Sequence, residues 1–167
     1  SEGKRVAITP ANKNVSASHA KFARSLKGDE EILVIEYGEG APGDVARFAD
    51  ITQPTHAIIT GLAPAHLDQY KTLQAAGEDI FAVADYLGGQ NVYVNNDAAS
   101  VEPFLNKSHQ LFNESGALGW KTKDIKVDLT GTKFTITKGK QALKLQSGLV
   151  GRHQVGYLAL VAALALE

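Results

Sequence analysis

Ala57-Ile58-Ile59-Thr60-Gly61-Leu62-Ala63-Pro64-Ala65-His66-Leu67 is the stretch that decides the fold. The run Ala57–Thr60 lacks polar alternation, as expected of a strand covered on both faces. It ends in a glycine turn that delivers one imidazole, His66, to the strand's C-terminal edge, where open α/β sheets bind their ligands. A second run of the same kind, Ile32-Leu33-Val34-Ile35, ends in Glu36. Read as neighbouring parallel strands, the two tips bring a carboxylate and an imidazole within reach of one ion. Asp68 lies close by in sequence. Oxygen donors with one imidazole suit Mg2+.

The flanking sequence alternates strands with helices. Arg5–Thr9 reads as a strand closed by Pro10, and Ser16 or Ser18 caps a helix through Leu26 that Gly28-Asp29 ends. Gly43-Asp44 opens a helix to about Ile51, and Pro54 breaks the chain before Ala57. Leu73, Ala76, Ile80, Phe81, Val83, Ala84 and Leu87 fall near helical spacing and predict a helix from about Thr72 to Leu87. Asn91–Asn95 is the next strand. Beyond residue 100 the pattern turns to period two in Ile125–Leu129, Phe134–Thr137 and Ala142–Leu145. These predict an antiparallel three-stranded meander over about 120–147 with one face in water. A buried helix follows from Val155. The expectation is therefore a single α/β domain over 1–167, a mainly parallel sheet wrapped by helices with a small antiparallel meander near the C-terminus.

Bulk properties narrow the function classes. The net charge is −1, with no basic block. Lys121, Lys123, Lys126, Lys133, Lys138 and Lys140 gather in one region, but Asp124, Asp128 and the alternation make it a solvated hairpin face, not a nucleic-acid footprint. Cysteine is absent, which removes disulfides and thiolate metal sites and fits a reducing compartment. The longest apolar run, Val155–Leu166, is too short to cross a bilayer. Methionine is absent even at position 1, and the chain stops at Glu167 inside a helical pattern. The expectation is a piece of a longer protein, truncated at both ends.

Two motifs have competing readings. Gly38-Glu39-Gly40-Ala41-Pro42-Gly43 spells G-x-G-x-x-G between a strand and a helix, the layout of a nicotinamide dinucleotide site. Glu39 and Asp44, however, place negative charge where a pyrophosphate needs a positive helix terminus, and no acid stands about 20 residues on for the ribose. A phosphate-cradling G-x-x-x-x-G-K-[ST] does not occur. Asn95-Asn96-Asp97 after the third strand tip is a turn by composition or a ligand loop by position. Gly148-Leu149-Val150-Gly151-Arg152-His153-Gln154 is either a helix-entry loop or a set of donors beside the ligand edge. His19, His56 and His109 show no partner spacing and receive no assignment.

Taken in order, these elements resemble a known family. Thr9-Pro10-x-Asn12-x-Asn14, a strand ending in Glu36, Pro42-Gly43-Asp44, Thr60–Leu67, Asn95-x-Asp97, the meander and Gly151-Arg152-His153 before an apolar helix are similar to the central domain of the Mur ligases. The similarity is greatest to the type that adds D-alanyl-D-alanine to the peptidoglycan precursor. The resemblance implies an ATP-dependent, amide-forming ligase of the bacterial cytoplasm that uses Mg2+ and acts on a UDP-linked muramoyl peptide. It implies metal-binding roles for Glu36 and His66 and a substrate-side loop at Asn12 and Asn14. It places Asn95, Asp97, Arg152 and His153 on the nucleotide side.

The chain departs from the family pattern at Gly77, where a lysine is expected, and at Ala98, Gln154 and Tyr157. No phosphate loop precedes Thr9, so the chain is expected to be inactive alone, with an incomplete sheet in which either Arg5–Thr9 partly takes the place of the missing strand or two copies pair along the gap. The alternatives are a non-catalytic Mur-like binding module and a nicotinamide-binding domain built on Gly38–Gly43.

Overall fold

The structure, a computed structural model, describes residues 3–11, 13–38, 40–64 and 67–166, Leu67 by its backbone alone. Asn12, Glu39 and His66 therefore lie outside the described residues. The chain forms two compact units, Ser1–Thr55 with Ala63–Gly88 and His56–Leu62 with Gly89–Glu167.

The first unit is helical with a small sheet. Strands β1 (Val6–Ile8) and β2 (Ile32–Val34) pair in parallel, Ala7 opposite Leu33. Helices α1 (Ser16–Ser25), α2 (Asp44–Thr52), α3 (Leu67–Tyr70) and α4 (Leu73–Tyr86) complete it, and α2 packs against both α1 and α4. Val45, Phe48 and Ala49 on α2, at helical i, i+3, i+4 spacing, are buried, as are Ala76, Phe81, Val83 and Ala84 of α4. The Thr72 side chain accepts a hydrogen bond from the Ala75 amide at 3.1 Å and caps α4, which begins where the apolar spacing predicts.

Strand β2 corrects one expectation. Its apolar run predicts a strand covered on both faces, yet Ile32, Leu33 and Val34 are 43%, 43% and 49% exposed. Among the described residues the strand pairs with β1, in a two-stranded sheet separate from the one that holds Ala57–Ile59. An apolar run states that side chains suit a covered position; it carries no information on which strand lies beside it.

The second unit holds a seven-stranded sheet in the order β3 (Ala57–Ile59), β4 (Val92–Asn95), β5 (Gln110–Asn113), β6 (Gly116–Ala117), β7 (Trp120–Asp128), β8 (Gly131–Lys138), β9 (Gln141–Ser147). The pairs β3–β4 and β4–β5 are parallel and the rest antiparallel. All four residues of β4 are buried. The meander runs over β7–β9 where the alternation predicts it. Lys121, Lys123, Lys126, Lys133 and Lys144 lie on its exposed face, and Phe134 and Ile136 are buried on the other.

Helix α5 (Val155–Leu164) covers that inner face. Val155, Ala159 and Ala163 pack with Trp120, Phe134 and Ile136, while Leu160 packs with Tyr93, Phe112 and Ala117. The approach is close because position 156 has no side chain. A Cβ there would stand 2.8 Å from the carbonyl carbon and 2.9 Å from the oxygen of Asn113. Backbone cannot swing aside as a side-chain tip can.

Glycine-to-alanine inside a helix ordinarily stabilises by about 1 kcal/mol. Here Gly156→Ala is expected to reverse that sign and cost about 1–3 kcal/mol through overpacking. A denaturant midpoint unchanged or raised in the variant would show that α5 does not rest on β5 in this way.

Candidate functional site

Glu36 follows β2 by two residues and is held by its main chain. Its amide donates to Thr9 Oγ1 at 3.0 Å, and its carbonyl lies 2.9 Å from His19 Nε2. The Thr9 amide in turn donates to Val34 O at 3.0 Å, continuing the ladder past the end of β1. Tyr37 packs its ring against His19 and Phe48 and hydrogen bonds through its hydroxyl to Thr52, and burial pushes the Tyr37 hydroxyl pKa up. The Glu36 side chain is exposed, and its carboxylate has no hydrogen-bond or ion-pair partner among the described residues.

Asn14 lies in the same corner. Its carbonyl accepts from the Gly38 amide at 3.1 Å, and its side chain fills the place where a Cβ on Gly38 would be. Thr9, Asn14 and His19 therefore hold residues 36–38. His66 and Asn12, the remaining members of the expected metal and substrate sets, lie outside the described residues. Asp68 is exposed at the start of α3.

No three His, Asp or Glu side chains among the described residues form a metal cage. A free carboxylate at a strand end nevertheless fits Mg2+, which takes one or two protein ligands and completes its shell with water and phosphate oxygens.

The Gly38–Gly43 loop is closed by carboxylates. Asp44 accepts from the Ala41 amide at 2.9 Å, and buried Asp79 of α4 accepts from the Gly43 amide at 2.6 Å and the Tyr70 hydroxyl at 2.7 Å. The amides that a pyrophosphate would need thus already face negative charge, which opposes the dinucleotide reading.

The second unit carries the nucleotide-side residues. Asn95, at the tip of β4, is buried and internally satisfied. Its amide donates to Thr60 O at 3.1 Å and to the Tyr157 hydroxyl at 2.8 Å, while its Oδ1 accepts from the Asp97 amide at 3.1 Å. The Tyr157 hydroxyl itself donates to Thr60 O at 2.8 Å. Ser100 fixes the same turn by donating to Leu62 O at 2.7 Å. The Asp97 side chain is exposed.

Arg152 makes a two-pronged ion pair with Glu114, Nε to Oε2 at 3.1 Å, and its guanidinium holds the Glu114 carboxyl below the usual carboxylate range. His153 is exposed, and its Nε2 accepts from the Gln154 side chain at 2.9 Å.

The structure thus gathers Glu36 with Asn14 in one corner and Asn95 with Asp97 in another. It commits Arg152 to Glu114. Sequence reading missed His19, Asp79 and Glu114 as organisers. His19 was legible only as a polar residue in the apolar stripe with Phe22 and Leu26, which calls for a buried partner.

Asp79→Ala is expected to cost about 1–3 kcal/mol, because the Gly43 amide loses its acceptor and the Tyr70 hydroxyl falls back on Ala41 O at 3.2 Å. Asp79→Asn keeps one acceptor oxygen and costs less. Chemical denaturation of the two variants measures this, and equal stability of wild type and Asp79→Ala would remove Asp79 as a structural strut.

Against this geometry, comparison with known proteins is specific. The family described as the Mur ligase middle domain matches residues 2–166. A UDP-N-acetylmuramoyl-tripeptide–D-alanyl-D-alanine ligase of Treponema pallidum is 27% identical across the whole chain, which spans 36% of that relative's length. A UDP-N-acetylmuramate–L-alanine ligase of Myxococcus xanthus is 25% identical over 96% of the chain and 33% of its own length. Among solved structures, MurF of Acinetobacter baumannii superposes with a TM-score of 0.81 at 20% identity, over 99% of this chain and 37% of that one. MurF of Thermotoga maritima, solved in complex with ADP, gives 0.74 at 21% identity over 99% and 40%. The chain spans little more than a third of these relatives, and it belongs to the Mur ligase middle domain family, whose match runs over its residues 2–166.

Proposed function

We propose that this chain is the metal- and nucleotide-handling middle part of an ATP-dependent amide-forming ligase of peptidoglycan precursor synthesis, acting in the cytoplasm on a UDP-linked muramoyl peptide. The observation that carries the reading is Glu36: an exposed carboxylate, without a partner among the described residues, on a main chain tied down at both its amide and its carbonyl. Such a group is held ready for a ligand.

In the whole protein, a substrate carboxylate takes the terminal phosphoryl group of ATP, giving an acyl phosphate and ADP. An amine then attacks the acyl carbon, forming the amide and releasing phosphate and a proton. Mg2+ held by Glu36 and His66 would supply charge neutralisation at the phosphate oxygens. Asn12 and Asn14 belong to the substrate side, and Asp97 and His153 to the nucleotide side. With no phosphate-cradling loop in its sequence, this chain alone does not turn over ATP.

Titration of ATP with Mg2+ into the purified chain tests the reading. Wild type is expected to bind without hydrolysis, and Glu36→Gln and His66→Ala each to weaken binding about tenfold. Binding indifferent to both substitutions, or hydrolysis above background, would sink it.

A second reading, a non-catalytic Mur-like binding module, is favoured by the corner at Asn95. Tyr157 and Thr60 take up its amide donors, and Glu114 takes up Arg152. If that corner admits a nucleotide base, Tyr157→Phe frees one donor and should tighten ATP binding severalfold. Absence of ATP binding in both wild type and Tyr157→Phe would favour the module.

A further inference from the structure

We propose that His19 is a positioning residue: its Nε2–H, donated to the Glu36 carbonyl, sets the direction in which the Glu36 carboxylate is offered to a divalent cation. The inference rests on the reading of Glu36 as a cation ligand and adds a residue to it.

His19 lies on α1 and is completely buried. It packs edge-on against Phe48, with ring centroids 4.8 Å apart, and tilted against Tyr37 at 5.5 Å. Because Nε2 faces a carbonyl oxygen, which only accepts, Nε2 carries the proton. Nδ1 has no hydrogen-bond partner among the described residues. A buried polar atom without a partner is costly. Phenylalanine or leucine would fill an aromatic-lined pocket without that cost. What the imidazole supplies that they cannot is a single directed donor, and it is spent on Glu36.

The Glu36 amide is fixed independently by Thr9, so the peptide groups on both sides of its Cα are held. The Tyr37 ring, wedged against His19 and Phe48, continues the restraint one residue further. Only the Glu36 side chain is left to move. Groups that orient a metal ligand from behind commonly change metal affinity 10- to 100-fold when removed.

The probe is Mn2+ alone, titrated into the full chain by electron paramagnetic resonance, with thermal melting recorded in parallel. His19→Phe keeps the ring contacts and deletes the donor, whereas His19→Gln keeps an N–H donor and deletes the ring. Glu36→Gln is the control for the site itself.

Positioning predicts that Glu36→Gln abolishes Mn2+ binding, that His19→Phe weakens it about tenfold while melting near wild type, and that His19→Gln retains affinity even if it melts earlier. A merely structural histidine gives the opposite split, with melting disturbed and affinity unmoved, and would overturn the proposal while leaving Glu36 as the ligand. If wild type and Glu36→Gln bind Mn2+ alike, or neither binds, the cation reading of Glu36 falls and the role of His19 falls with it.

Discussion

The contact between Gly156 and the backbone of Asn113 is the constraint on which the second unit depends. With no Cβ in the way, α5 settles against β5 at main-chain distance. That depth lets Val155, Ala159 and Ala163 reach the meander and Leu160 reach β4 and β5. It also fixes where the neighbouring residues end up. Tyr157 is brought to Thr60 and Asn95, and Arg152, just ahead of the helix, to Glu114. Core packing and the polar corner are thus set by one close approach.

The two corners differ in kind. Around Glu36 the protein satisfies the main chain, and the charged group has no partner among the described residues. Around Asn95 it satisfies the side chain as well, spending both its amide and its oxygen on protein partners. A free carboxylate retains its full capacity for a cation. A buried amide with its donors occupied must give up protein bonds to gain ligand bonds, so any exchange there is nearly neutral in energy.

How much of this was legible in the sequence follows from the range of each signal. Local period and punctuation sufficed for the strand Ala57–Ile59, the helix beginning after Thr72, the meander and α5. They also put Glu36 and Asn95 at strand ends. The strands β5 and β6 escaped, because four and two residues are too few to show a period. The neighbour of β2 escaped because apolar side chains advertise burial and not a partner. The organising contacts of the site link Gly43 to Asp79, His19 to Glu36 and Thr60 to Tyr157. They join residues far apart in the chain through single polar atoms, which leave no periodic trace in sequence.

The order in which the chain visits its two units has a kinetic consequence. It enters the second unit at His56, leaves after Leu62, and returns at Gly89. The first ladder of the large sheet, Ala57 opposite Val92, therefore closes around the whole 63–88 excursion. While that excursion is unfolded it is a long flexible loop whose closure costs entropy. Once α3 and α4 form, the same segment is a compact connector. Helix formation in one unit thus prepares strand pairing in the other. The sheet should nucleate in its local hairpins, β7 to β9, and acquire β3 last.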